Sequence, residues 1–441
     1  MVQVRRGARL AIDLCGPGFA LAALTACPSP DDVALPPPSV IPDGPCGLPG
    51  SIVWEARGPT RVPGGPAHTP DISWMKLPVG FCAHVYATVP HVRQVKIAPS
   101  GELFAASPSQ LTAGGGDGGL GAIVVLPDDD HDGSSDGLLR FVDHVAETQG
   151  MAFSPDGFFY YQDAAAVMRV PYHPGDRAPS SPGAMMIDMA AVVPHQPTLH
   201  WPKAMDVADD GSLYVLNGGE QGDPCQSPLP VRGAIVHVAS PASASPAATV
   251  IARGFRNPIA VRCNPGKGSC FALELAKDGS GEGEDGGREK LVPVRDGAGD
   301  DWGFPCCATK GIPYPGIPGP PDCGAVTEET VGFIIGNTPF GLDFAPSTWP
   351  APYQSAAIVA LHGRVGSYAG ARVIALPTDA TGDPIKGSNL SGGDFLELAS
   401  GWDDGRQDRG RPAAVGFAAD GRLFLGDDIA GLIVWIAPVA P

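Results

Sequence analysis

Short apolar runs separated by Gly, Pro, Asp and Ser recur along the chain and predict its architecture. In Ile97-Ala98-Pro99-Ser100-Gly101-Glu102-Leu103-Phe104-Ala105 a turn leads into residues suited to a strand. The unit returns at residues 153–160, with Pro155-Asp156-Gly157, and at residues 207–215, with Asp209-Asp210-Gly211. A degenerate copy occupies residues 263–271, and another full copy residues 417–425. An Asp-Gly turn between apolar runs is a strong short-range hairpin signal. Gly101, Gly157 and Gly211 are spaced by about 55 residues, close to one four-stranded blade with generous loops. One more unit spans residues 342–361, its turn replaced by residues 346–352. Six units then fit between about residue 75 and the end of the chain. The pattern predicts an all-β fold, a six-bladed β-propeller of four-stranded antiparallel blades. An irregular β-sandwich is the alternative. Runs such as Ala122-Ile123-Val124-Val125-Leu126 suit strands buried on both faces. No long stretch carries a helical period.

Composition adjusts this picture in three places. The 60 Gly and 49 Pro among 441 residues approach a low-complexity level. They fall between apolar runs, however, and therefore read as turns. A net charge of -18 excludes a nucleic-acid binder, whose phosphate affinity needs clustered Lys and Arg. The N-terminus points to export. Arg5, Arg6 and Arg9 precede a mostly apolar stretch, and Leu24-Thr25-Ala26-Cys27 resembles a bacterial lipobox. We expect residues 1–27 to be a signal peptide with Cys27 lipidated. The protein would then be periplasmic or on the cell surface, touching the membrane only through that lipid. Residues 28–71 read as a proline-rich tether and lead-in, and residues 72–441 as the propeller, with a long insertion near 276–330.

Apart from Cys15 and Cys27, eight cysteines remain, an even number that suggests disulfides in an exported chain. Cys263 with Cys270 would close a short hairpin. Cys323 could pair with Cys306 or Cys307. The spacings for covalent haem or structural zinc are not present.

Three stretches carry candidate chemistry. In Asp128-Asp129-Asp130-His131-Asp132-Gly133, carboxylates alternate before a glycine, as at the start of a calcium loop, and Asp136 offers a further oxygen. Residue 139 is Leu, which excludes a full EF-hand. We expect a structural Ca2+ on Asp128, Asp130, Asp132 and Asp136. His200, beside Trp201 and Lys203, is a candidate general base. Arg256-Asn257-Pro258 supplies a planar cationic fork and an amide, suited to a polyanionic, carbonyl-rich ligand.

These stretches, taken in order, resemble the soluble quinoprotein sugar dehydrogenases, most closely their sorbosone and pyranose dehydrogenase-like branch. The matching residues include Leu77-Pro78-Val79-Gly80-Phe81, Arg93, the acidic loop, and His200-Trp201-Pro202-Lys203. They continue with Gly254-Phe255-Arg256-Asn257-Pro258, Asp301-Trp302-Gly303-Phe304-Pro305 and Thr338-Pro339-Phe340-Gly341-Leu342. Ala360-Leu361-His362-Gly363, Arg411-Pro412 and Asp427-Asp428 complete the set. The resemblance implies pyrroloquinoline quinone (PQQ) and Ca2+ over a central channel, a small sugar or polyol as substrate, and an external electron acceptor. His200 would take the hydroxyl proton. Arg256, Asn257, Arg93, Lys203 and Arg411 would contact the quinone. Backbone carbonyls around Ala276 and Lys277 would bind its Ca2+. The alternatives are a non-catalytic binding propeller and a calcium-dependent lactonase. No Gly-x-Ser-x-Gly elbow is present to suggest a serine hydrolase.

Overall fold

The computed structural model describes residues 35–441 apart from 39, 67, 113–114, 117, 194–199, 221–224, 226–231, 278–286, 318–320, 365–368, 389–394, 404–408 and 441. The signal-like segment and Cys27 lie outside the described residues.

The turn units become hairpins. Gly101, Gly157, Gly211 and Gly421 have φ between +80 and +99, a region that a side chain would strain. Each hairpin opens one of six blades. Blade 1 contains Gln94–Ile97, Leu103–Ser107, Ala122–Leu126 and Leu139–Asp143, and blade 2 contains Met151–Ser154, Phe158–Asp163, Ala166–Pro171 and Ala184–Asp188. Blade 3 contains Met205–Val207, Leu213–Asn217, Gly233–Val238 and Ala248–Phe255, and blade 4 contains Asn257–Cys263, Cys270–Leu275, Arg288–Val294 and Val331–Ile334. Blade 5 contains Pro339–Phe344, Ala357–Leu361, Arg372–Leu376 and Leu396–Ala399. Blade 6 pairs Pro412–Phe417, Leu423–Asp427 and Leu432–Pro438 with the early strand Phe81–Thr88, which closes the ring. The first strand of each blade touches the first strand of the next, so these six inner strands surround a central channel. Apolar side chains fill the space between blades. Phe104, Phe141, Phe159 and Tyr172, for example, share one cluster between blades 1 and 2.

Two boundaries differ from the sequence reading. The folded body begins before Ile72, because Ile52–Glu55 and Gly58–Arg61 extend the sheet of blade 6. The insertion is also shorter than 276–330, because Arg288–Val294 is the third strand of blade 4. Both segments are rich in turn residues, which hid short strands.

Four disulfides form: Cys46–Cys82, Cys225–Cys306, Cys263–Cys270 and Cys307–Cys323. No described helix is long and apolar enough to cross a membrane.

The channel has two distinct ends. The inner strands all start at one end, the mouth, and run to the turns at the far end. At the far end a cavity of about 240 Å3 is lined by residues of all six inner strands. Lys96 and Arg262 both pair with Asp206 there, and Arg262 Nε lies 2.6 Å from Asp343 Oδ1. Asp206 Oδ2 accepts the Cys263 N–H, and Asp343 Oδ2 accepts the Phe417 N–H. One charged network thus joins blades 1, 3, 4, 5 and 6. The chain enters beside this end, through Cys46 and through Leu48 against Gly133.

Candidate active site

The residues just before each inner strand ring the mouth. They are Arg93, Gln149, the segment from His200 to Lys203, Arg256, Thr338 and Arg411. The ends of the second strands return to the same level, bringing Gly218, Glu274, His362, Asp427 and Asp428.

On the side of blades 3 and 4, His200 is buried and its Nδ1 lies 2.6 Å from the Gly219 carbonyl. A carbonyl only accepts, so Nδ1 carries the proton and Nε2 is left as the basic nitrogen. A side chain on Gly218 would collide with His200 Cβ at 2.5 Å, so a glycine is needed there. The Gly219 N–H donates to Arg256 O at 2.6 Å, and the Arg256 N–H donates to Glu274 Oε1 at 2.9 Å. Glu274 is fully buried, 3.4 Å from Lys290 Nζ, which donates to Trp302 O at 2.6 Å. Burial raises the Glu274 carboxyl, with Lys290 opposing. The insertion docks here through Trp302 N to Arg253 O and Phe304 N to Gly254 O.

On the side of blades 5, 6 and 1, Asp428 is shared. It takes Arg93 Nη1 at 2.6 Å and His362 Nε2 at 2.8 Å. The Arg93 guanidinium lies 4.4 Å over the Phe340 ring. Arg411 donates to the carbonyls of His362 and Gly363. Burial pushes the His362 imidazole down to about 4, against the pull of Asp428. Burial also works against ionisation of Asp428, but His362 and Arg93 outweigh it and hold the carboxyl below its usual range.

The mouth thus gathers His200, Arg93, Arg256, Asn257, Arg411, Ala276 and Lys277. Lys203 lies at the same level, but its Nζ is buried and donates to Trp201 O at 2.9 Å. Burial lowers its pKa to about 8, with Glu147 opposing. The acidic loop is elsewhere, at the far end of blade 1. Carboxylate oxygens of Asp128, Asp130 and Asp136 lie within 4.8 Å of one another. Asp132 is not in that group, because its Oδ1 instead accepts the Ser134 N–H at 2.8 Å. Alternation suggested Asp128, Asp130 and Asp132, with Asp136 as a further oxygen, but the turn at Gly133 leaves Asp132 on the Ser134 N–H.

Sequence reasoning missed Gln149, Glu274 and the His362–Asp428 pair as site residues. Gln149 is buried and its Nε2 donates to Ile259 O of blade 4 at 3.1 Å, so it reaches past the inner strand of blade 3. Its register, immediately before an inner strand, was the available signal.

Three buried polar atoms at the mouth have no hydrogen-bond partner among the described residues, Arg93 Nε, Gln149 Oε1 and Asn257 Oδ1, and Glu274 Oε2 has only Lys290 Nζ, at 3.4 Å. Buried polar groups are rarely left so, and unmet ones point to a ligand or water. The arginines Arg93, Arg256 and Arg411 fit a planar polyanion that bears carbonyls, whereas the unmet oxygens can take only a donor or a cation. The oxygens of Asn257 and Glu274, beside the backbone of Ala276 and Lys277, fit a hard divalent cation.

The fold was then compared with known proteins. No protein-family model matches the chain, and no curated protein matches it. Solved structures do. A Trichoderma reesei enzyme of carbohydrate-active family AA12 is 17% identical, with a TM-score of 0.65 over 82% of this chain and 97% of that one. The PQQ domain of pyranose dehydrogenase from Coprinopsis cinerea, in its holo form, is 14% identical with a TM-score of 0.62, over 82% and 97% of the two chains. The chain shares their propeller fold. PQQ-bound aldose sugar dehydrogenase from Streptomyces coelicolor is 15% identical, with a TM-score of 0.52 over 82% of this chain and all of that one. These neighbours are of the kind that the sequence motifs resemble.

Proposed function

We propose that the protein is an exported quinoprotein oxidoreductase that oxidises a hydroxyl of a small sugar or polyol. Its N-terminus would be lipidated at Cys27, and its electrons would pass to an external acceptor. The observation that carries this reading is His200, fixed by Gly219 at the mouth with Nε2 as its basic nitrogen, beside unpartnered buried groups that fit a polar cofactor. The shared fold supports it, since the Coprinopsis and Streptomyces structures are of PQQ-binding dehydrogenases.

PQQ, when bound with Ca2+, supplies an acceptor for the hydride. The protein supplies the rest. His200 Nε2 takes the proton of the substrate hydroxyl while Gly219 holds Nδ1–H, so the ring stays oriented as charge develops. Arg256, Arg93 and Arg411 attract the anionic groups of the quinone and favour its reduced form. Asn257 and Gln149 offer acceptors that are otherwise unmet, Glu274 offers a carboxylate oxygen met only by Lys290 at 3.4 Å, and Ala276 and Lys277 would offer backbone oxygens for the ion.

Titrating the purified protein with PQQ and Ca2+ while recording absorbance, then assaying sugars with an artificial electron acceptor, tests the reading. Saturable spectral change and sugar oxidation are expected. His200→Gln should bind quinone as the wild type does and turn over roughly a hundredfold or more slowly. A spectrum that is the plain sum of protein and free quinone would end the proposal.

A further inference from the structure

We infer that Gln162 is a positioning residue for His200, an inference that rests on reading His200 as the proton acceptor. His200 belongs to no strand, since the inner strand of blade 3 starts only at Met205. Something else must fix the segment between them. Gln162, in blade 2 and fully buried, does so with both ends of its amide. Its Nε2 donates to Trp201 O at 2.8 Å and to Ala164 O at 3.1 Å, and its Oε1 accepts the Lys203 N–H at 2.9 Å. The amide assignment follows from chemistry, because two carbonyls can face only the NH2 and a backbone N–H only the oxygen.

The pattern matters because of what it replaces. Donating to residue 201 and accepting from residue 203 is what a neighbouring strand would do. One side chain therefore acts as a short piece of β-ladder for a segment with no strand partner. The backbone of Gln162 is itself anchored, its N–H donating to Gly150 O at 3.0 Å. Gly150 admits no side chain, because a Cβ there would run into the Lys203 carbonyl. Blade 2 thus fixes the backbone on one side of His200, and Gly219 of blade 3 fixes its ring. If the backbone loosens, the ring swings and the bond from Nδ1–H to Gly219 weakens. Lys203 Nζ also donates to Trp201 O, so part of the segment's support survives loss of Gln162.

The experiment uses the full chain with selectively 15N-labelled histidine, the His200 signals being assigned through His200→Gln. In the wild type those signals should report a neutral ring protonated at Nδ1. In Gln162→Met they should move toward a mixture of tautomers. In Gln162→Asn, which keeps the amide but shortens its reach, they should fall between. The Asn variant carries the comparison alone if the Met variant does not fold. Wild-type signals in every folded variant would overturn the inference. In the loaded enzyme, Gln162→Met should slow turnover about tenfold or more, with quinone affinity within about twofold. Because Gln162 is argued to act through His200, the same change in a His200→Gln background should cost nothing further. An equal loss in both backgrounds would assign Gln162 a general structural role instead. If the wild type oxidises no sugar, the proposed function fails, while the imidazole signals still decide the inference about Gln162.

Discussion

The two ends of the channel use the same residue types to opposite effect. At the far end Lys96, Arg262, Asp206 and Asp343 each meet an opposite charge, and the carboxylates take backbone N–H groups as well. At the mouth, Arg93 and Asp428 also pair, yet buried atoms of Arg93, Gln149 and Asn257 lack a hydrogen-bond partner among the described residues. Charge inside a propeller channel therefore does not by itself mark a site. Lone unmet atoms do not either, since Gln94 Oε1 beside the far-end cavity is one. What differs is their gathering at the mouth around His200 and the arginines, where the proposed cofactor would meet them.

Breaking the far end should have the largest effect. Asp206→Ala leaves Lys96 and half of Arg262 without their partner, and removing one member of a buried pair typically costs about 3–5 kcal/mol. Denaturant unfolding should show this loss, and quinone affinity measured in the folded protein should barely change. A midpoint equal to the wild type would mean that the network is not structural.

Next comes the acid limb at the mouth. His362 titrates near 4 in the folded protein and near 6.5 when unfolded. Between those values only the unfolded chain binds the proton, so the stability contributed by His362 is lost as pH drops from about 6.5 to about 4, while Asp427, pushed up to about 7 by burial, acts in the opposite sense. The contribution reaches about 3 kcal/mol. His362→Gln should lack it, and parallel stability curves for the two proteins would contradict a neutral buried His362.

Arg256→Ala sharpens the comparison from the other side. The backbone bond to Glu274 survives, so melting should shift little. Quinone affinity should fall by roughly tenfold or more, the scale of one charge-assisted bond. Isothermal titration decides, and unchanged affinity would remove Arg256 from the site.

How much of this the sequence carried depends on whether the signal was local. The turn glycines were legible because a positive φ demands Gly at five of the turns, and with the unit at residues 342–361 they gave six blades. His200 and Arg256-Asn257 were legible as short motifs. The far-end network was not, although a signal existed. Aligned on their turns, the repeats place Lys96, Asp206, Arg262 and Asp343 at one register position, with Ala152 and Gly416 in the other two blades. Each is one polar residue in a largely apolar strand, unremarkable until the ring brings them together. Gln162 was invisible for a similar reason, since its partners lie about forty positions away, on the next blade. The acidic loop was half legible. Alternation identified two of the three carboxylates that converge, Asp128 and Asp130, but also Asp132, which turns onto its own backbone.

The smallest expected effect lies in that loop. If a cation sits on Asp128, Asp130 and Asp136, chelation should lower the melting temperature by a few degrees, because a ligand bound only by the native state stabilises it. Asp130→Asn should shrink the response. An identical melting temperature with and without chelator would show that the loop holds no ion.

The route of the chain into the fold has a consequence for how the ring is fastened. Cys46 and Leu48 bring the backbone in beside the far end, and the charged network crosses the channel there. Two fastenings thus sit at one end of the ring, a covalent one at its outer edge and an ionic one at its centre.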